Sequence, residues 1–116
     1  MGLYLKLIVL VLLFFGEALA IYAEMLGAKY VISQSFLQIF LKMFALIAVA
    51  GGLLIAGYML GFKAFKNIWV VAVASITSIL IIEPILAWTM FHQVPTKGAV
   101  SGFILGVIGL FLSIFF

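Results

Sequence analysis

The sequence predicts an all-α integral membrane protein with four transmembrane helices in a single domain, residues 1–116. Hydrophobic residues make up 69% of the chain and charged residues only 8%, whereas a soluble domain of this length covers its surface with charge. Four apolar runs are each near the ~20 residues that a helix needs to cross the hydrocarbon layer. Because open sheet edges cannot face lipid, we expect these runs to be helices.

The distribution of charge supports the same class of protein. The formal charge of +3 comes from six lysines and three glutamates. The acids lie inside apolar runs and most lysines lie near the ends of runs, which relates the charge to membrane topology and not to nucleic-acid binding. The lysines are divided almost evenly between the two sides of the membrane, with a slight excess of loop-like positions on the N-terminal side. That excess predicts a cytoplasmic N-terminus, and the near-even count also fits insertion in both orientations.

The first helix is predicted over about residues 3–32, because no proline or polar cluster interrupts the apolar run before Ser33. Thirty residues rise about 45 Å, which exceeds a hydrocarbon core of about 30 Å. The helix is therefore expected to tilt, to protrude, or to kink near Gly16 or Gly27. Its start resembles a secretory signal, but the apolar character continues well beyond a cleavage site, so we expect the segment to be retained.

The second helix is predicted over residues 36–61 and the third over 68–91, joined by a short basic turn. Small residues recur in the second helix at a spacing that lets neighbouring backbones approach closely in lipid; they are Ala48, Gly52, Ala56, Gly57 and Gly61. In the third helix, Pro84 removes a backbone donor and crowds the carbonyl of Leu80, which predicts a kink.

The fourth helix is predicted over residues 98–116 and is lined with glycine. The glycines that share or adjoin one face are Gly98, Gly102, Gly106 and Gly109. A glycine-lined face is a helix-packing surface, and here it is a candidate dimer surface.

Two acids on the first helix are the first candidates for a binding site. Glu17 and Glu24 are seven residues apart, so they lie on one helical face about two turns from each other. An ionised carboxylate in hydrocarbon costs several kcal/mol, so such side chains usually face a bundle interior, a partner or water. A helix reaching Ile32 puts Glu24 about 12 Å below its end, whereas a helix ending near Leu26 puts Glu24 at the surface and Glu17 near mid-membrane. Alternatively, Glu24 is an interfacial residue and Glu17 a protonated helix–helix contact.

Glu83 and Lys42 add a second pair of candidates. With short turns, Glu83 lies about 12 Å and Lys42 roughly 10 Å below the same membrane surface. Under the long-helix interpretation Glu24 shares that depth, so one lysine and two glutamates could form a buried charge network. The alternatives are that Lys42 extends to the nearby interface and that Glu83 is a structural partner of the predicted kink.

The last third of the chain resembles the drug/metabolite transporter superfamily. The resemblance rests on Glu83–Gln93, then Pro95, then the helix from Gly102 to Gly109. This stretch is similar to that superfamily's acidic-proline helix, short turn and glycine-rich final helix. A four-helix chain of this length most resembles the small multidrug resistance branch, and Ala23-Glu24-Met25-Leu26-Gly27 is similar to the Ala-Glu-x-x-Gly motif of that branch's first helix.

On that resemblance, Glu24 is the carboxylate that binds cations and protons alternately. The family's cation-stacking tryptophan and nearby tyrosine of the third helix fall at Ser75 and Ala72, which would then line the site without an aromatic face. The helix-one extension with Glu17, the mid-helix Lys42 and the Glu83-Pro84 pair also depart from that branch.

These features predict a multi-pass transporter of the plasma or inner membrane. We expect proton-coupled export of a small cationic or amphipathic molecule, in which proton and substrate compete for one carboxylate. The expected assembly is a homodimer, which the resemblance implies to be antiparallel. The alternatives are a half-transporter or flippase-type subunit, paired with a similar small chain and acting on a lipid-linked or polyamine substrate, and a non-transporting membrane scaffold.

Enzymatic activity is not expected from this sequence. The single histidine, His92, lies in a predicted turn, and the chain has no cysteine. Neither a metal site nor a catalytic triad, a phosphate loop or a cofactor motif can be recognised.

Overall fold

The computed structural model describes residues 2–116, and over that range the chain forms four α-helices and no strand. They are α1 (Gly2–Tyr30), α2 (Phe36–Phe65), α3 (Ile68–Phe91) and α4 (Lys97–Phe115). All four are long and apolar enough to cross a membrane. The predicted fold class, an all-α protein with four candidate membrane spans, is confirmed, and the chain is a multi-pass membrane protein.

The first two helices end at different residues from those expected. α1 ends at Tyr30 rather than Ile32, and α2 continues to Phe65 rather than ending at Gly61. Lys66 ends α2 in the left-handed conformation, with φ of 58°, and its N–H donates to the carbonyl of Phe62. With 29 and 30 residues, α1 and α2 rise about 43 and 45 Å and are the longest helices.

Side-chain caps fix the starts of α3 and α4. The side-chain oxygen of Asn67 accepts a hydrogen bond of 2.9 Å from the N–H of Trp69. The hydroxyl of Thr96 accepts one of 3.0 Å from the N–H of Ala99. Each cap satisfies an N–H group that has no partner within its helix.

Pro84 lies inside α3, which is helical on both sides of it. The carbonyl of Leu80 therefore lacks the intrahelical donor that a residue other than proline would supply at position 84. The kink expected there remains a prediction.

The core lies where α1 packs along α2 and α3. Val9, Leu13 and Val71 have no exposed surface. Half-buried side chains pack around these three; they are Leu54, Tyr58, Leu60, Ala64, Phe65 and Ala74. Since seven of these nine side chains come from α2 and α3, the core joins the first three helices into one bundle.

Two glycines of α2 let the helices approach. A Cβ atom on Gly57 would lie 2.8 Å from Cδ2 of Leu13, and one on Gly61 would lie 2.9 Å from Cγ2 of Val71. Gly52, in the row that it forms with Ala48 and Ala56 on another face of α2, has no such neighbour within 4 Å among residues 2–116. The expected close approach therefore occurs at Gly57 and Gly61 and not at Gly52.

α4 lies at the edge of the molecule. Within the described chain it packs against α3 alone, and none of its residues is buried. The Cα atoms span 48 × 33 × 17 Å, so the bundle is a slab about two helices thick. One long face of α4 is therefore open to whatever surrounds the protein.

Candidate functional site

Glu17 lies near the middle of α1, at the junction of three helices. It is 15 residues after Gly2 and 13 before Tyr30, or about 20 Å from either end. The preceding residue, Gly16, is buried against α2, where a Cβ atom would lie 2.8 Å from Cδ2 of Leu54. This contact holds the backbone beside Glu17 against α2 while the half-buried glutamate side chain reaches α3.

Ser75 of α3 is the hydrogen-bond partner of Glu17. Its hydroxyl donates to Oε1 of Glu17 at 2.6 Å, and the serine itself is only 4% exposed. A carboxyl group can accept this bond in either protonation state, because the neutral form keeps an acceptor oxygen. The contact therefore tolerates a change in the charge of Glu17.

The neighbouring hydroxyls of α3 behave differently. Thr77 donates to the carbonyl of Val73 at 2.7 Å, and Ser78 donates to that of Ala74 at 3.0 Å. Both bonds lie within α3, where such back-bonding satisfies a hydroxyl without a partner helix. Among these three hydroxyls, Ser75 alone connects α3 to α1.

Glu24 is exposed and lines a groove of about 290 Å³ between the end of α1 and the start of α2. α1 continues to Tyr30, close to the longer of the two expected helices, the one that places Glu24 below the helix end. It lies six residues before Tyr30, or about 9 Å along the helix. The rings of Phe36 and Phe40, stacked with centroids 6.0 Å apart, belong to the same groove.

The groove at Glu24 combines one carboxylate with apolar and aromatic walls. Its other lining residues are apolar: Ala23, Gly27, Ala28, Val31, Ile39 and Met43. Such a surface suits an amphipathic cation, whose charge meets the carboxylate while its apolar part contacts the rings.

Lys42 and Glu83 lie at distances from the ends of their helices that are similar to that of Glu24. Lys42 is six residues into α2 and Glu83 is eight residues before the end of α3, or about 9 and 12 Å from those helix ends. Lys42 is exposed and Glu83 is half-buried. Among residues 2–116 no hydrogen bond joins Lys42, Glu24 or Glu83 to one another. The structure thus brings together Glu17 and Ser75, while the proposed charge network remains a prediction.

The remaining sequence candidates lie on α3 and α4. Ala72 is half-buried, one turn before Ser75 on α3. Of the four glycines of α4, Gly106 alone would bring a Cβ atom close to another helix, at 3.2 Å from Cδ2 of Leu80. In the part of the chain that the structure describes, no group of three or more histidine, cysteine or acidic side chains could hold a metal ion.

The sequence did not indicate that Glu17 and Ser75 would be partners. Both positions were candidates, Glu17 as a buried acid and Ser75 as a position that lacks an aromatic residue. Their separation of 58 residues along the chain hides the contact from any local pattern. Only the packing of α1 on α3 reveals it.

No family model matches the chain, and neither a curated protein nor a solved structure matches it. The class of protein is therefore defined by the structure alone. It is a four-helix, multi-pass membrane protein with a glutamate hydrogen-bonded across two helices at mid-span.

Proposed function

We propose that this protein is a small proton-coupled transporter that exports a cationic or amphipathic molecule from the cell across the plasma or inner membrane. The observation that carries the proposal is the Glu17 carboxyl, near the middle of a membrane span and bonded to Ser75 at 2.6 Å. Ionisable side chains at such depth are rare, and they mark substrate or proton pathways. The middle of a membrane-spanning helix is the region in which secondary transporters bind their substrates.

The two acids of α1 have different roles in this proposal. Glu24, at an apolar groove with two phenylalanine rings, binds the cationic part of the substrate. Glu17, about 10 Å deeper on the same helical face, is the proton-binding group. Substrate and proton compete for this pair of acids, so binding of substrate releases the proton.

The proposed transporter works as a homodimer. A slab two helices thick encloses little space, so a transport pathway needs a second wall. A second copy paired through the open glycine face of α4 would supply it, as a homodimer in either relative orientation. Crosslinking single cysteine probes from both sides of the membrane tests the orientation, since labelling from one side only excludes the antiparallel form.

The experiment is substrate-driven proton release in liposomes. Purified protein is challenged with a panel of lipophilic cations and polyamines while the external pH is recorded. We expect Glu17→Gln and Glu24→Gln each to abolish proton release, because each removes a group that the cycle needs. Ser78→Ala, whose hydroxyl bonds only within its own helix, is the matched control and should release protons as the unmodified protein does. Unchanged release in both glutamine variants would contradict the proposal.

A second candidate is a half-transporter or flippase-type subunit. It is favoured by Ser75 and Ala72, because a site with these small residues offers no aromatic face to a lipophilic cation. Such a subunit would pair with an unlike small chain and act on a lipid-linked or polyamine substrate. Co-purification of an unlike four-helix partner, together with no response to lipophilic cations, would favour this candidate over the first.

A further inference from the structure

An apolar groove of about 550 Å³ lies between the end of α3 and the start of α4. From α3 it is lined by Pro84, Trp88 and Phe91, and from α4 by Val100 and Ile104, among others. It extends from the turn between the two helices down to Pro84, seven residues below the end of α3, or about 10 Å. Clefts of roughly 300–1,000 Å³ are large enough to bury most of a small ligand.

The groove is not on the face of α4 that its glycines occupy. A helix advances 100° per residue, which places Gly102 and Gly109 roughly opposite Val100 and Ile104. The contact with α3, made at Gly106, lies between these two faces. A second copy that pairs through the glycines therefore leaves the groove facing the bilayer.

One positive charge lies at the rim of the groove. Lys97 lies two turns before Ile104 on the same face of α4, at the end that carries the turn. The ring of His92 packs edge-on against Trp88, with ring centroids 6.4 Å apart. Glu83 precedes Pro84 in the chain but lies about 140° around α3 from Trp88. Among residues 2–116, no acidic side chain lines the groove.

We propose that this groove binds an anionic phospholipid of the surrounding bilayer. An acyl chain lies along the apolar wall between α3 and α4, and the phosphate lies at the turn beside Lys97 and His92. Water does not fill an apolar groove at this depth, so a lipid tail is the ligand that the environment supplies. The lysine selects lipids with negative headgroups, as basic residues near a membrane surface do. Lipid binding here requires no transport, so it can be tested separately.

The two tryptophans of the chain provide the assay. Trp88 lines the groove, whereas Trp69 is exposed near the other end of α3. Trp69→Phe leaves Trp88 as the only tryptophan, and Trp88→Phe leaves Trp69 as the matched control. Each variant is reconstituted in phosphatidylcholine vesicles with the same small fraction of brominated phosphatidylglycerol or brominated phosphatidylcholine, and quenching of the tryptophan fluorescence is measured.

We expect brominated phosphatidylglycerol to show about fivefold greater apparent affinity than brominated phosphatidylcholine at Trp88, the effect of one lysine near a membrane surface. At Trp69 the two lipids should quench alike. In the Trp88-only background, Lys97→Gln should remove the preference, while Lys29→Gln should retain it. Val100→Phe should reduce quenching by filling the groove, whereas Leu105→Phe, on another face of α4, should not.

Two results would overturn the proposal. Equal quenching of Trp88 by both lipids would mean that the groove has no selectivity for negative headgroups. Weaker quenching of Trp88 than of Trp69 by both lipids would mean that protein, such as a second copy, covers the groove. Circular dichroism of every variant establishes that its helices are intact before the quenching is compared.

Discussion

Small residues are packed differently in two regions of the molecule, the bundle of α1, α2 and α3 and the edge helix α4. In the bundle, glycines lie against side chains of other helices, and a glutamate and a serine form a hydrogen bond between α1 and α3. In α4, Gly102 and Gly109 meet no such atom within 4 Å among residues 2–116, and none of the helix is buried. Small residues thus serve internal packing in one region and leave an open surface in the other.

This difference shows that a row of glycines does not by itself indicate whether the helix packs within its own chain or against another subunit. In lipid, close backbone approach replaces the hydrophobic drive between helices. Gly57 and Gly61 make that approach inside the chain, so they need no partner. The open glycines of α4 have the same spacing pattern but no internal neighbour, which makes that face available to a second subunit.

Among substitutions that test this difference between the bundle and α4, the largest change in stability is expected at Gly61. Gly61→Leu should lower the free energy of unfolding by roughly 3 kcal/mol, the upper end of the usual cost of overpacking. The side chain would collide with Val71 and Val9, which lie 2.9 and 3.1 Å from a Cβ atom there. β-branched valines have few alternative rotamers with which to make room.

SDS titration of the protein in mixed micelles, followed by circular dichroism, measures this change. Gly52→Leu is the matched control on the same helix, because a Cβ atom at position 52 has open space. Equal losses of stability for the two variants would show that α2 is not packed as described.

An intermediate effect is expected on association through α4. Gly102→Leu should weaken dimerisation by roughly 2 kcal/mol through overpacking of the subunit contact, and it should leave the fold of each chain intact. Energy transfer between labelled chains in vesicles of varied protein density measures the association. Val107→Leu, on the groove side of the same helix, should associate normally; a loss as large as that of Gly102→Leu would contradict pairing through the glycine face.

The smallest effect is expected at the hydrogen bond between Glu17 and Ser75. Ser75→Ala should lower the free energy of unfolding by about 0.6–1 kcal/mol, the typical worth of a side-chain bond between membrane helices. Ser75→Thr keeps a hydroxyl and should retain most of the stability. Ser78→Ala removes a bond within α3 and should change little. If Ser75→Ala and Ser78→Ala are equivalent by SDS titration, the contact does not stabilise the bundle.

The sequence was sufficient to predict the number and type of the helices, because their apolar runs are long and short polar or proline-containing turns separate them. It placed the end of α2 too early, since Phe62 to Phe65 has the composition of an interfacial turn. In the structure Phe65 packs on the core and its ring centroid lies 5.4 Å from Nζ of Lys6. These tertiary contacts extend the helix by a turn, and composition cannot reveal them.

The site was predictable only in part for the same reason. An acidic residue inside an apolar run can be recognised from the sequence, so Glu17, Glu24 and Glu83 were all predicted as candidate site residues. Which acid meets which helix depends on the rotation of α1 against α2 and α3, and seven-residue spacing does not fix that rotation. The groove at Trp88 was missed because its walls come from two helices, although Pro84, Trp88 and Phe91 share one face of α3.

The edge position of α4 has a consequence for biogenesis. Because α4 follows the other helices in the chain and contacts only α3 in the described range, the three-helix bundle can assemble in the membrane before α4 is inserted. The flank of α3 at Leu80 is then exposed for a time to any other helix that presents small residues. In the dimer proposed above, a neighbouring nascent chain that inserted its own fourth helix there would yield an intertwined pair.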